Sequence, residues 1–308
     1  MPDRHLDYAA SVIATARAAG GTAPRVMSFF DEPTNTVSYV VYDPTTRAAA
    51  IVDSVLNFDA ATGRTSVEAA DQIIAYVEAE NLSVAWLLET HAHADHLSAA
   101  PYLKDKLGGT LAIGREIIQV QNLFGAIFNQ GSQFPRDGSD FDHLFEDGAR
   151  FAIGEIGAVA LHVPGHTPAD LAYVIGDAVF TGDTMFMPDY GTARADFPGG
   201  DARQLFRSIR RLMTLPDQTR LFLCHDYKAV GRDFFAWETT VGAQRVGNIH
   251  AHERMSADEF VSMREARDAT LSMPKLILPA IQVNIRGGRL PEPEPNGTRY
   301  LKIPLDVL

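Results

Sequence analysis

The chain has 308 residues, 46% hydrophobic and 21% charged, so it holds enough apolar content for one large core or two small ones. Its formal charge is −12 and no Lys/Arg cluster appears, which argues against a nucleic-acid partner. An acidic chain that handles an anionic substrate needs local positive charge, from a metal or a few arginines.

A single cysteine, Cys224, leaves no intramolecular disulfide and suits a reducing compartment. The opening stretch contains Asp3 and Asp7 and lacks an unbroken apolar core, so it reads as neither a secretory nor a mitochondrial leader. No apolar run reaches the roughly 18–20 residues of a membrane span. The expectation is a cytoplasmic protein with no membrane partner.

In chain order, residues 26–31, 37–43 and 48–53 are short β-type runs separated by turn-formers, an opening antiparallel meander. Thr65-Ser66-Val67-Glu68 has capping-box spacing, and 66–80 carries apolar residues at helical intervals. "VAWLLET" reads as a buried strand that ends at the cluster "HAHADH". Residues 98–107 read as a helix closed by "GG", and "TLAIG" as the next strand. Within 115–148 a helix "EIIQVQNLFGAIF" precedes a polar loop.

"ALHVPGHT", "LAYVIGDAVFTGDT" and "RLFLCHDY" read as strands that end in polar residues, with "DARQLFRSIRRLMTL" a helix between the last two. The tail after 233 reads as helical to about 270, with a capping box at Ser256–Glu259. A proline-rich "PEPEPNG" and a strand-like "RYLKIPL" close the chain. Strands followed by helices in both halves suit two sheets packed face to face with helices outside, a four-layer α/β (αββα) arrangement. No 20–50-residue repeat is present.

His91, His93, Asp95 and His96 are the residue types that a metal takes, gathered after a strand. His166 in "PGHT", Asp183 in "TGDT" and His225 in "CHDY" each follow a further strand, where loops gather active sites. Asp53 either orients a ligand histidine or caps its own strand. Cys224 reads as buried packing, since a strand neighbour of His225 points to the opposite face. His250-x-His252 reads as a solvated segment, and Phe and Met at 185–187 as pocket wall.

As an ordered set, "THAHADH", "PGHT", "TGDT" and "CHDY" resemble the metallo-β-lactamase-fold superfamily over about residues 26–235. That resemblance implies an αββα sandwich with the metal site at one edge of the sheets. It divides the chain into a catalytic domain over 1–235 and a helical, proline-rich C-terminal extension over 236–308, packed on it. One metal position would use His91, His93 and His166. A second would use Asp95, His96 and His225, with Asp183 bridging.

"TGDTMFMPDYGTARADFPGG" resembles the persulfide dioxygenase branch in its Arg194, Asp196 and Phe197, although Ala193 stands where that branch often has glycine. The Gly-Arg-Phe-Phe-type segment of glyoxalase II is lacking. The tail resembles a bacterial β-lactamase-like hydrolase subgroup associated with persulfide oxidation. This branch implies one Fe(II) per chain, held by His91, His166 and Asp183, a facial-triad donor set. His93, Asp95, His96 and His225 would then support the ligands.

The substrate implied is glutathione persulfide with O2, giving sulfite and glutathione. Tyr227, Arg194, Asp196 and Thr167 would face it, Tyr227 and Arg194 in catalytic positions. Arg194 would offset its charge, with Asp196 holding Arg194. Structural ion pairing is the plain alternative for Arg194 and Asp196. The seven-ligand set equally permits two Zn(II) per chain and hydrolysis of a glutathione thioester or lactone. The resemblance also admits a homodimer.

Overall fold

The computed structural model describes residues 3–307. Helix α1 (Arg4–Arg17) begins at Asp3, whose carboxylate accepts from the His5 backbone N–H at 3.0 Å and caps the first turn. Strands β1 (Arg25–Asp31), β2 (Thr36–Tyr42) and β3 (Ala48–Val52) form the expected antiparallel meander. Then come β4 (Val55–Asp59), β5 (Arg64–Ser66), α2 (Glu68–Ala79), β6 (Ser83–Leu88), β7 (Leu97–Ser98), α3 (Ala100–Leu107), β8 (Thr110–Gly114), α4 (Ile117–Ile127) and β9 (His143–Phe145).

The second half supplies β10 (Arg150–Ile153), β11 (Ile156–His162), β12 (Leu171–Ile175), β13 (Ala178–Phe180), α5 (Ala202–Leu212) and β14 (Arg220–Phe222). β15 (Glu238–Thr240), α6 (Val241–Gly247), α7 (Ala257–Asp268) and α8 (Ile277–Asn284) follow.

One six-stranded sheet has the order β1-β2-β3-β6-β8-β9 and a second β10-β11-β12-β13-β14-β15, with a small third sheet β5-β4-β7 beside them. The chain crosses between parallel neighbours at β3/β6, β6/β8, β8/β9 and β13/β14, and these crossovers carry loops to one end of the sheets. Period-2 alternation splits the central strands of each six-stranded sheet between two cores. Along β2, Val40 and Tyr42 join Ile73 of α2 and Ile113 under the outer helices, whereas Tyr39 and Val41 meet Tyr173, Phe180 and Phe222 of the facing sheet. The second sheet is covered by α1, α5 and α7 through Ile13, Leu205, Ile209 and Phe260. The result is the expected four-layer αββα sandwich. No helix among the described residues is long and apolar enough to cross a membrane.

Several local expectations fail for physical reasons. Residues 64–66 pair with β4 as a strand, so α2 starts at Glu68 behind Val67 with no side-chain cap, and the 65–68 box does not form. The strand-like 299–305 segment has no ladder partner among the described residues and is largely exposed. The tail after 233 is not continuously helical, because β15 first adds an edge to the second sheet. The Ser256–Glu259 capping box does form. Helix α1 was not legible as a helix.

Ile209 on α5 is fully buried between the second sheet and α7. Ile209→Ala should cost about 2–5 kcal/mol. In urea unfolding the midpoint should fall with the slope unchanged. Arg203→Ala, which breaks an exposed pair with Asp258, should leave the midpoint in place.

Candidate metal centre

Four strand ends bring the polar residues together. His91, His93, Asp95 and His96 lie on the loop from β6 to β7, and His166 lies between β11 and β12. Asp183 sits in a 3-10 turn at Gly182–Thr184 after β13, and His225 follows β14. Two glycines make the approach feasible. Gly182 has φ +50°, and a Cβ there would lie 2.7 Å from the Thr90 hydroxyl. Gly165 has φ +143°, and a Cβ would collide with the Leu205 backbone nitrogen.

The Asp183 carboxylate is the hub. Its Oδ2 lies 3.5 Å from His166 Nε2 and 4.0 Å from His91 Nε2, and its Oδ1 lies 3.3 Å from His225 Nε2. His91, His166 and Asp183 converge as one set of donors, and His93, Asp95 and His96 as a neighbouring one. All seven expected ligand residues are therefore gathered.

Each imidazole has one nitrogen tied to an acceptor. His91 Nδ1 donates to Thr90 Oγ1 at 2.9 Å, and that hydroxyl donates to Asp53 Oδ2 at 2.9 Å. His93 Nε2 donates to Asp53 Oδ1 at 2.9 Å, and His166 Nδ1 to the Arg194 carbonyl at 2.8 Å. His96 Nδ1 donates to Asp95 Oδ2 at 3.0 Å, and His225 Nδ1 to the Asn35 carbonyl at 3.1 Å. The opposite nitrogens of His91, His93, His96 and His225, with Asp183 Oδ1, are buried and lack a hydrogen bond. Buried polar atoms without partners are costly, and a cation would satisfy these lone pairs. The donor set thus fits a metal.

Local charge points the same way. Burial, then the neighbouring His93 and His166 rings, hold His91 well below the usual imidazole range. Burial also opposes a charged His93, yet Asp53 outweighs it and lifts that ring well above the range. Asp53 thus places negative charge beside the histidine cluster, which favours a cation there.

Asp53 resolves as an orienting group for two histidines, not only a strand cap. Cys224 is buried as expected but does not point away. Its Sγ lies 3.8 Å from Asp53 Oδ2, and it groups with Asp183 and His225. The chain has left β14 at Phe222, so strand alternation no longer applies there. His250 is not solvated. It is buried, and its Nδ1 accepts from the Thr192 N–H at 3.1 Å.

A cavity of about 300 Å³ opens onto Asp183, His166, His225 and Asp95. Phe186, Tyr190, Phe197 and Tyr227 form its aromatic wall, and Arg194 also lines it. Arg194 is clamped by both Asp196 oxygens at 2.5 and 2.7 Å and by the Ser272 carbonyl at 2.8 Å. Thr167 is turned aside, its hydroxyl donating to Asp170 Oδ1 at 2.5 Å, and it lines a narrower neighbouring cavity.

Sequence reasoning missed three supports. Thr36 Oγ1 donates to Asp95 Oδ2 at 3.0 Å. Asn284 of α8 donates to the His93 and His96 carbonyls at 2.8 Å each and accepts from Ser98 N–H at 2.9 Å, which holds the histidine loop in place. On α7, Asp268 accepts from Arg264 Nε and from the Ala195 N–H, both at 2.9 Å, while Arg264 Nη1 donates to the Thr192 carbonyl at 3.1 Å. That buried pair holds the segment whose Arg194 carbonyl orients His166. Its i,i+4 spacing was a signal, but such spacing usually marks a surface pair.

Asn284→Ala would orphan two carbonyls and one N–H and should cost about 2–4 kcal/mol, read by thermal or urea unfolding. Asp53→Ala should weaken metal affinity about 10–100-fold in competition with a chelator, with the fold retained by circular dichroism.

Three relatives and one solved structure place the chain among known proteins. It is 54% identical to a probable metallo-hydrolase of Burkholderia pseudomallei over 92% of this chain and 99% of that one. It is 49% identical to Glyoxylase B2 of Dictyostelium discoideum over 87% and 92%. It is 27% identical to the mitochondrial persulfide dioxygenase ETHE1 of Bos taurus over 87% and 91%. The crystal structure of ETHE1 from Myxococcus xanthus matches with a TM-score of 0.68 at 28% identity, covering 86% of this chain and all of that one. A family model described as the metallo-beta-lactamase superfamily matches residues 31–225. By that match and by its 54% identity to a full-length relative, the chain belongs to the metallo-beta-lactamase superfamily.

Proposed function

We propose that this metal-dependent enzyme is a persulfide dioxygenase that oxidises glutathione persulfide. The reaction balances as persulfide (GSSH) plus O2 plus water giving glutathione and sulfurous acid, which ionises to sulfite. The observation that carries the reading is the division of labour between carboxylates. Asp183 and Asp95 both border the cavity, but Asp183 faces His91 and His166 with its Oδ1 free of hydrogen bonds, whereas Asp95 Oδ2 already accepts from His96 Nδ1 and Thr36 Oγ1. Two imidazoles and one carboxylate, with positions left open, are the donor set of non-haem iron oxygenases. The likeness to persulfide dioxygenase over 87% of the chain supports the same assignment.

His91, His166 and Asp183 would hold one Fe(II), which when bound supplies the redox chemistry that O2 requires. The protein's own groups do the rest. Thr90 and the Arg194 carbonyl keep the protons of His91 and His166 on Nδ1, so each Nε2 stays a donor atom. Phe186, Tyr190 and Phe197 line the cavity with apolar surface, which would help displace water when substrate binds and so strengthen electrostatic contacts within it. Tyr227 and Arg194 stand along the path of the substrate, and Asp196 fixes the Arg194 guanidinium. Thr167 acts from one side, bracing the His166 turn through Asp170.

A second reading has its own observation. His93 Nδ1, His96 Nε2 and His225 Nε2 remain without hydrogen bonds, which suits a second ion bridged by Asp183. Two zinc ions there would support hydrolysis of a glutathione thioester or lactone, in keeping with the 49% identity to a protein named Glyoxylase B2.

Anaerobic purification followed by metal analysis and oxygen uptake separates the two. The dioxygenase reading expects about one iron per chain and O2 consumption with sulfite release from glutathione persulfide. About two zinc ions per chain and no oxygen uptake would sink it. His166→Ala or Asp183→Ala should abolish iron binding, whereas His93→Ala or His225→Ala should leave much of it. Equal loss in all four would favour the dinuclear site.

A further inference from the structure

Three guanidinium side chains line the cavity beside the metal centre: Arg194, Arg264 and Arg267. Two of them are already neutralised. Arg194 is clamped by Asp196, with only 10% of its side chain exposed, and Arg264 is paired with Asp268 at 2.6 Å and almost fully buried. Arg267 differs. It lies on α7 one turn beyond the start of the Arg264–Asp268 pair, is exposed, and has no carboxylate within ion-pair distance among the described residues. Its neighbours on the rim, Leu271, Ser272 and Pro274, offer no countercharge.

We propose that Arg267 is a specificity-determining residue that binds a carboxylate of the thiol carrier, at the cavity mouth. This rests on the reading of the site as acting on a thiol-linked sulfur or acyl group. It places the anion contact on α7 and not on Arg194. The charge balance supports it. The chain carries −12 overall, so an anionic substrate nearing the cavity mouth meets repulsion unless a cation stands in its path. Among the described residues that line the cavity, Arg267 is the arginine without a carboxylate partner. A guanidinium offers a carboxylate two parallel donors, which a lysine cannot reproduce. Leu271 and the aromatic wall would cover the apolar stem of the carrier and leave its sulfur end toward Asp183.

The test is calorimetric titration of reduced glutathione, and separately of its diethyl ester, into the metal-loaded full chain and the variants Arg267→Ala, Arg267→Lys and Arg267→Glu. Because Arg267 is exposed and screened by water, the expected loss for Arg267→Ala is about three- to tenfold in glutathione affinity. Arg267→Glu should lose more, and Arg267→Lys should recover part. The diethyl ester should bind wild type and Arg267→Ala alike, and added salt should shrink the wild-type advantage. Equal glutathione affinity in wild type and Arg267→Ala would overturn the proposal. So would an equal loss for the diethyl ester, since that marks a structural effect, or no glutathione binding by wild type. A protein that shows this binding pattern yet takes up no oxygen would refute the dioxygenase reading and leave the Arg267 assignment standing.

Discussion

Everything at this centre depends on which nitrogen of each histidine carries the proton. Five rings are fixed in the same manner: one nitrogen donates to an oxygen and the other is left facing the interior. The acceptors differ. Asp53 serves two rings, directly for His93 and through Thr90 for His91. Backbone carbonyls of Arg194 and Asn35 serve His166 and His225. A donor atom is only useful to a cation when its lone pair is free and aimed. Orienting bonds of this kind set both.

The fold supplies those acceptors from distant parts of the chain. The two sheets bring four strand ends to one edge, and the helices that follow the second sheet hold the loops there. Helix α8 reaches the histidine loop through Asn284, and α7 reaches the 192–195 segment through Arg264 and Asp268. Both supports are buried. Each hydrogen bond made at such a depth avoids the larger penalty of a polar group left unpaired. Residues after 235 are thus built into the site as well as into the outer cores.

Charge is sorted with equal economy. Arg232 takes Asp226 and Asp189, Arg194 takes Asp196, and Arg264 takes Asp268. These pairs lock loops around the cavity without leaving free charge inside it. At the floor Asp183 Oδ1 keeps no hydrogen bond, which suits a cation, and on the rim Arg267 has no carboxylate partner among the described residues, which suits an anion. The neighbouring donor set keeps the free nitrogens of His93, His96 and His225 but shares the Asp95 carboxylate with His96 and Thr36, so one-ion and two-ion occupancy are separable by experiment on one scaffold.

The sequence by itself determined the layer architecture and the ligand inventory, because both are local. A near-continuous apolar run at 37–42 suits a strand buried on both faces, and "HAHADH", "PGHT", "TGDT" and "CHDY" each carry their chemistry within a few positions. Glycine at 165 and 182 sits within those motifs, but the need for it is tertiary, since a Cβ there would strike Leu205 and Thr90. Only the tertiary structure decided which groups support the ligands. Asn284 lies 191 positions from His93, and Asp268 lies 73 from Ala195. No periodicity or motif encodes such a meeting. Tertiary packing also turned Cys224 inward, buried His250 and left Arg267 without a carboxylate partner among the described residues, for a side chain's partner depends on what folds against it and not on its neighbours in sequence.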